Sequence, residues 1–116
     1  MTILVGINSQ GDEEMPDFVK VAKTDEVAPG QAKLVEAGGK EIALFNVAGA
    51  FHAIDNTCTH VGGPLCEGEL EGTEVTCPWH GAAFDVTTGA VLGPPAAAPV
   101  ARYNLRIEGT DVEIEI

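Results

Sequence analysis

The sequence predicts an all-β protein, an antiparallel β base with a smaller subdomain inserted in it. Two observations carry this. Fourteen glycines and seven prolines punctuate the 116 residues so often that no interval free of both exceeds 12, which leaves little room for long helices. Between these breaks, short segments are rich in β-branched and aromatic residues or alternate apolar with polar at period two, the spacing of half-buried strands. An apolar content of 45% is enough for one core without disulfide staples, and the length fits a single domain over 1–116.

Taken in order, residues 1–15, with Gly11-Asp12-Glu13-Glu14, read as a flexible tail in which Ile3 to Ile7 is an optional edge strand. Phe18 to Ala22, Ala32 to Ala37, Glu41 to Val47 and Phe51 to Asp55 read as an antiparallel meander, broken by turn signals at Pro29-Gly30, Gly38-Gly39 and Ala48-Gly49. Thr24-Asp25-Glu26-Val27 is the one helical signal, a capped single turn. Near the other end, Tyr103, Leu105 and Ile107 alternate with polar residues, as do Val112, Ile114 and Ile116, across a turn at Gly109-Thr110. That pattern predicts a terminal hairpin.

Between these strand-rich parts, Asn56 to Pro95 reads as the inserted subdomain. Glu69 to Leu70 and Glu74 to Thr76 can pair around Glu71-Gly72-Thr73, and Ala83 to Val86 with Ala90 to Leu92 around Thr87-Thr88-Gly89. Two short motifs sit here, Cys58-Thr59-His60 and Cys77-Pro78-Trp79-His80. Each offers one thiol followed closely by one imidazole. Two such loops folded together present a two-sulfur side and a two-nitrogen side, which suits a mixed-ligand 2Fe-2S cluster. Thiolates are soft, charged donors matched to iron-sulfur chemistry, and neutral imidazoles reduce the negative charge on their side. A tetrahedral zinc site would use the same four ligands, although the spacing is not that of the usual zinc fingers.

Composition narrows the class of function. Eighteen acidic against six basic residues give a formal charge of −12, which disfavours nucleic acid and anionic membranes as partners. Between Lys40 and Arg102 there is no Lys or Arg, while Glu41, Asp55, Glu67, Glu69, Glu71, Glu74 and Asp85 all lie there. The acidic stretch is either a solubility feature or a docking field for a basic partner, since complementary charge mainly raises encounter rate. No stretch approaches the roughly 20 apolar residues of a membrane span, and the first residues lack the features of a secretion signal. The expectation is a soluble, cytoplasmic protein. Three cysteines in that setting point to metal or redox chemistry rather than a disulfide framework.

Cys58-Thr59-His60, a gap of 16 residues, and Cys77-Pro78-Trp79-His80-Gly81 resemble the Rieske iron-sulfur motif, and the strand pattern from about Phe18 to Ile116 is similar to that of small Rieske-type ferredoxins. The resemblance implies the Rieske fold, in which Asn56 to Pro95 is the cluster-binding subdomain. It also implies one 2Fe-2S cluster, with Cys58 and Cys77 on the buried iron and His60 and His80 on the outer iron. The cluster's electron would leave from the histidine side. The Rieske proteins of cytochrome complexes have two further cysteines where this chain has Gly63 and Trp79, and a membrane anchor that is not expected here. They also have hydroxyl donors to the cluster where this chain has Ala82 and Phe84. The chain is therefore more similar to the soluble ferredoxins that feed Rieske-type oxygenases.

That resemblance implies an electron-transfer protein rather than an enzyme, taking an electron from a flavoprotein reductase and passing it to a terminal oxygenase. A hydrolase-like triad is disfavoured because the best Cys and His candidates are claimed by the cluster and the chain has one serine, Ser9. The alternative is a small Rieske subunit of a multi-subunit reductase or oxygenase. The remaining residues of interest have two readings each. Cys66 is a packing residue or a redox thiol, with packing favoured. His52, in the strand Phe51-His52-Ala53-Ile54, is a strand residue rather than a ligand. Trp79 shields the site, forms a docking spot, or only packs. Gly62, Gly63 and Gly81 allow tight turns and close backbone approach, and Gly93-Pro94-Pro95 resembles the family's proline loop over the cluster.

Without hydroxyl donors near the sulfurs, and among carboxylates, the extra electron of the reduced cluster is poorly stabilised. The midpoint potential is expected at the low end of the family span of about −150 to +300 mV. Protein-film voltammetry at neutral pH checks this, and a midpoint well above about 0 mV would contradict it.

Overall fold

The computed structural model describes residues 18–59, 62–79, 81–94 and 98–115. Their elements are short strands with two single 3-10 turns. In chain order they are β1 (Phe18–Lys23), a turn at Thr24–Glu26, β2 (Ala32–Ala37), β3 (Lys40–Val47), β4 (Ala50–Asp55), a turn at Leu65–Glu67, β5 (Glu69–Glu71), β6 (Glu74–Thr76), β7 (Ala83–Asp85), β8 (Val91–Gly93), β9 (Arg102–Tyr103), β10 (Leu105–Glu108) and β11 (Asp111–Glu115). They form three antiparallel sheets, a base of order β9-β4-β3-β2, a terminal sheet β10-β11-β1, and a small sheet β5-β6-β7-β8.

The burial of β3 and β4 explains the stacking. Within β3, Ile42 and Leu44 join a core with Ala22, Val35, Val112 and Ile114, while Ala43 and Phe45 join a second core with Leu65, Val75, Phe84 and Val86. In β4, Ala53 belongs to the first core and Ile54 to the second. Successive side chains leave a strand on opposite faces. The base sheet is therefore apolar on both faces, with the terminal sheet over one and the small sheet over the other.

The expected meander holds for β2, β3 and β4, paired Ala37↔Lys40 and Val47↔Ala50 at their turns. It fails for Phe18 to Ala22. That segment pairs instead with β11, Val112↔Ala22 and Ile114↔Val19, with a bulge between Val112 and Glu113. Periodicity identifies a strand but not its neighbour, and the stretch between Lys23 and Ala32 is long enough to reach another sheet. The single turn at Thr24–Glu26 is present, but no side chain caps it. The Thr24 amide is held by the Thr110 carbonyl at 2.8 Å, so a tertiary contact replaces the expected local cap.

The terminal hairpin forms between β10 and β11, with Leu105↔Ile114 and Ile107↔Val112. Tyr103 leaves it to pair with Ala53 at the edge of the base sheet. Val112 and Ile114 are buried as their alternation predicts, whereas Ile107, on the edge strand β10, is 43% exposed. Both small hairpins form, Glu69–Glu71 with Glu74–Thr76 and Ala83–Asp85 with Val91–Gly93. The tail over 1–15, Pro95 and Ile116 lie outside the described residues, within which no helix is long and apolar enough to cross a membrane.

Phe45 is fully buried in the second core. Its replacement by alanine is expected to cost about 3–5 kcal/mol, read as a lowered urea midpoint; a cost under about 1 kcal/mol would mean that this core does not rest on β3.

Candidate metal centre

The two motifs lie in loops of the same construction. The first runs from Cys58 to Gly63 and is closed by an isolated bridge between Thr57 and Pro64. The second runs from Cys77 to Ala82 and is closed by the Thr76↔Ala83 pair of β6 and β7. In the first, the Cys58 amide donates to the Gly63 carbonyl at 2.9 Å and the Gly62 amide to the Cys58 carbonyl at 2.9 Å. In the second, the Cys77 amide donates to the Ala82 carbonyl at 2.7 Å and the Gly81 amide to the Cys77 carbonyl at 3.1 Å. Gly62 and Gly81 hold the matching left-handed position, at φ +79° and +82°, where a β-carbon is strained. Two differently spaced motifs therefore share the same closing hydrogen bonds and the same glycine position.

Both thiol-bearing residues are 2% exposed and belong to the core between the base and small sheets. Ala82 and Phe84, also fully buried, lie beside them in that core and carry no side-chain donor. A β-carbon on Gly63 would press on Cys77 Sγ, so the backbone of one loop comes up against the sulfur of the other. A pair of soft sulfur donors, buried and brought together by twin loops, fits the thiolate half of a 2Fe-2S site. His60 and His80, expected to supply the nitrogen half, lie outside the described residues.

Several residues that hold this site have no motif of their own. Asn56 is buried, and its Oδ1 accepts the Cys66 amide at 2.8 Å. Its backbone amide donates to Glu41 and its carbonyl accepts the Leu65 amide. The first loop is thus tied at its base to β3 and to the Leu65–Glu67 turn. Thr59 Oγ1 donates to the Ala98 carbonyl at 2.7 Å, joining the loop to the segment after Gly93-Pro94. One step before Asn56, the Tyr103 hydroxyl donates to the Asp55 carboxylate. An Asp-Asn pair closing a strand is the local signal that marks such a role, since both side chains readily bond neighbouring backbone.

Cys66 is partly buried and packs on the same core. Burial pushes its thiol up, with the Glu67 carboxylate adding to this, so it is protonated at neutral pH and suited to packing rather than to redox attack. His52 pairs across strands with Phe45 and lines a groove with Phe18, Phe51, Arg102 and Tyr103 that neither Cys58 nor Cys77 borders. Trp79 is 57% exposed, which removes the reading in which it only packs. Glu67, Glu69, Glu71 and Glu74 are exposed around the small sheet. The ion pairs of the described residues, Lys20–Asp111, Lys33–Glu26 and Arg106 with Glu108 and Glu113, lie elsewhere.

Comparison with known proteins agrees with this geometry. Residues 17–104 match the model of the Rieske [2Fe-2S] domain. The chain is 42% identical over 99 residues to the biphenyl dioxygenase ferredoxin subunit of Pseudomonas sp. (strain KKS102), covering 84% of this chain and 91% of that one. Among solved structures, it is similar to the ferredoxin of Sphingomonas yanoikuyae B1, with a TM-score of 0.82 and 32% identity over 86% of this chain and 99% of that one. It is also similar, at a TM-score of 0.80 and 31% identity over 84% of this chain and 92% of that one, to a chain in a complex of reduced oxygenase and oxidised ferredoxin in carbazole 1,9a-dioxygenase.

Burial and the bond to Asp55 push the Tyr103 phenol up to about 12. A pKa raised by folding means stability that is intact below the unfolded value of about 10 and lost as pH rises toward the folded one. Unfolding followed between about pH 9 and 12 should show that loss in the native chain, and Tyr103→Phe should flatten it. An equal slope in both would remove Tyr103 as its source.

Proposed function

The chain belongs to the Rieske 2Fe-2S family, and on that premise we propose that it is a low-potential one-electron carrier passing electrons from a flavoprotein reductase to a Rieske-type terminal oxygenase. Its cofactor is one Rieske-type 2Fe-2S cluster, and it acts as an electron-transfer component rather than as an enzyme. The observation that carries the reading is the pair of similarly closed loops that bury Cys58 and Cys77 in one core. We assign Cys58 and Cys77 to the inner iron and His60 and His80 to the outer one, within a single domain over 1–116 whose cluster-binding part spans about 56–95.

A bound cluster supplies a single-electron couple at this end of the molecule. The residues do the rest. Gly62 and Gly81 set the loop backbone so that the cysteines stand inward, and Asn56 and Thr59 hold the first loop in register. Ala82 and Phe84 keep hydroxyls away from the sulfurs, and the carboxylates of Glu67, Glu69, Glu71 and Glu74 oppose added negative charge. Both effects support a low potential. Trp79 and Leu92, 57% and 52% exposed, give the same layer apolar surface for brief docking. A cytoplasmic location suits thiolates that must stay reduced.

The alternative, a small subunit fixed within a larger reductase or oxygenase, is less well supported, because curated relatives that the chain matches are named as ferredoxin subunits or components of dioxygenase systems. Stopped-flow mixing of the reduced protein with an oxygenase tests the proposal. Electron transfer should be bimolecular and slow severalfold as salt rises from about 0.05 to 0.5 M, as expected when exposed charges steer encounter. A rate independent of both protein concentration and salt would instead indicate a permanent subunit.

A further inference from the structure

Each of the two loops is closed by backbone hydrogen bonds of its own. Beneath them, Cys58 and Cys77 share the apolar core. A contact between the loops falls at Gly63. A β-carbon on that residue would stand 2.5 Å from Cys77 Sγ and 3.2 and 3.3 Å from Cγ and Cδ2 of the Trp79 indole. Carbon and sulfur pack at roughly 3.5–4 Å, so the gap admits no side chain. Gly63 is not among the residues with a left-handed φ. It must be glycine because of what presses on it from the second loop.

Two features of the second loop therefore border one point of the first, the sulfur of Cys77 and the root of the Trp79 ring. Trp79 is 57% exposed, so much of the residue faces solvent while Cγ and Cδ2 border Gly63. We propose that Trp79 is a positioning residue whose indole clamps the first ligand loop onto the second through Gly63 and covers the flank of Cys77 Sγ. The inference rests on the role proposed above for Cys77. The physical basis is dispersion and exclusion of water: a flat ring on a bare glycine backbone allows the closest approach of two loops without a covalent link. The clamp limits two motions, separation of the loops and entry of water or a competing ligand beside the sulfur.

The test uses the cluster-loaded native chain, Trp79→Ala and Trp79→Phe. Loss of the visible absorption is followed in excess iron chelator, and the reduced proteins are compared by electron paramagnetic resonance. Trp79→Ala should lose its cluster roughly tenfold faster, a barrier lowered by about 1.4 kcal/mol, with a shifted spectrum. Trp79→Phe, which keeps a flat ring on Gly63, should restore the rate to within about twofold and return the native spectrum. Gly63→Ala should speed the loss less in the Trp79→Ala background than alone, because one of its two obstructions is gone.

Native-like rates and spectra in Trp79→Ala would overturn the clamp, as would a phenylalanine variant no better than the alanine one. Should Gly63→Ala not fold, the Trp79 pair still decides. A native chain that takes up no iron and sulfide would overturn the cluster reading itself, and that failure is seen before any variant is made.

Discussion

Strand β3 is apolar on both faces, and this constraint organises the molecule. Ile42 and Leu44 have to be covered on one side and Ala43 and Phe45 on the other, and a sheet with two apolar faces is stable only between two layers. The terminal sheet supplies one cover through Val112 and Ile114, and the small sheet supplies the other through Val75 and Phe84. A slip of one residue in β3 would exchange the two sets of side chains. The register of this strand therefore fixes which layer packs on which face, and with it where the loops of Cys58 and Cys77 stand.

From β3 the order passes to the loops by hydrogen bonds rather than by packing alone. The Glu41 carbonyl holds the Asn56 amide, and Asn56 in turn holds the amides of Leu65 and Cys66. At the far end of the same strand, buried Asn46 reaches the Val27 carbonyl at 2.7 Å and accepts the Gly49 amide at 2.8 Å. Both asparagines are buried with their bonds made, which is the condition for a polar side chain to sit in a core without a large penalty. One end of β3 thus anchors a turn, and the other anchors the loop that carries Cys58.

Charge is arranged by layer. Lys20, Lys33 and Arg106 are matched with carboxylates on the base and terminal sheets, and Arg106 also lies over the Phe18 ring at 4.4 Å. Such exposed pairs contribute little stability. Their effect is on the field: cations are neutralised at one side, while Glu67, Glu69, Glu71 and Glu74 face solvent at the other with no Lys or Arg between Lys40 and Arg102. A donor of electrons with a negative, partly apolar end is suited to short encounters with a partner of opposite charge.

The sequence by itself determined the strand content, both small hairpins, the terminal hairpin and the family, because each depends on local patterns: period-two alternation, turn residues, and two motifs of fixed spacing. The candidate ligands are equally local, since each is a residue type at a given offset. Strand partners were not legible. Phe18–Lys23 carries the pattern of a strand in any sheet, and only the shared burial of Ala22, Val112 and Ile114 placed it beside β11. The supporting residues were hidden for the same reason. Asn56, Thr59 and the Asp55–Tyr103 pair act across 10, 39 and 48 positions of chain, and Gly63 owes its identity to a sulfur and an indole from another loop. The tertiary structure decided these, because close approach between segments distant in sequence depends on how the layers stack and leaves no period or motif behind.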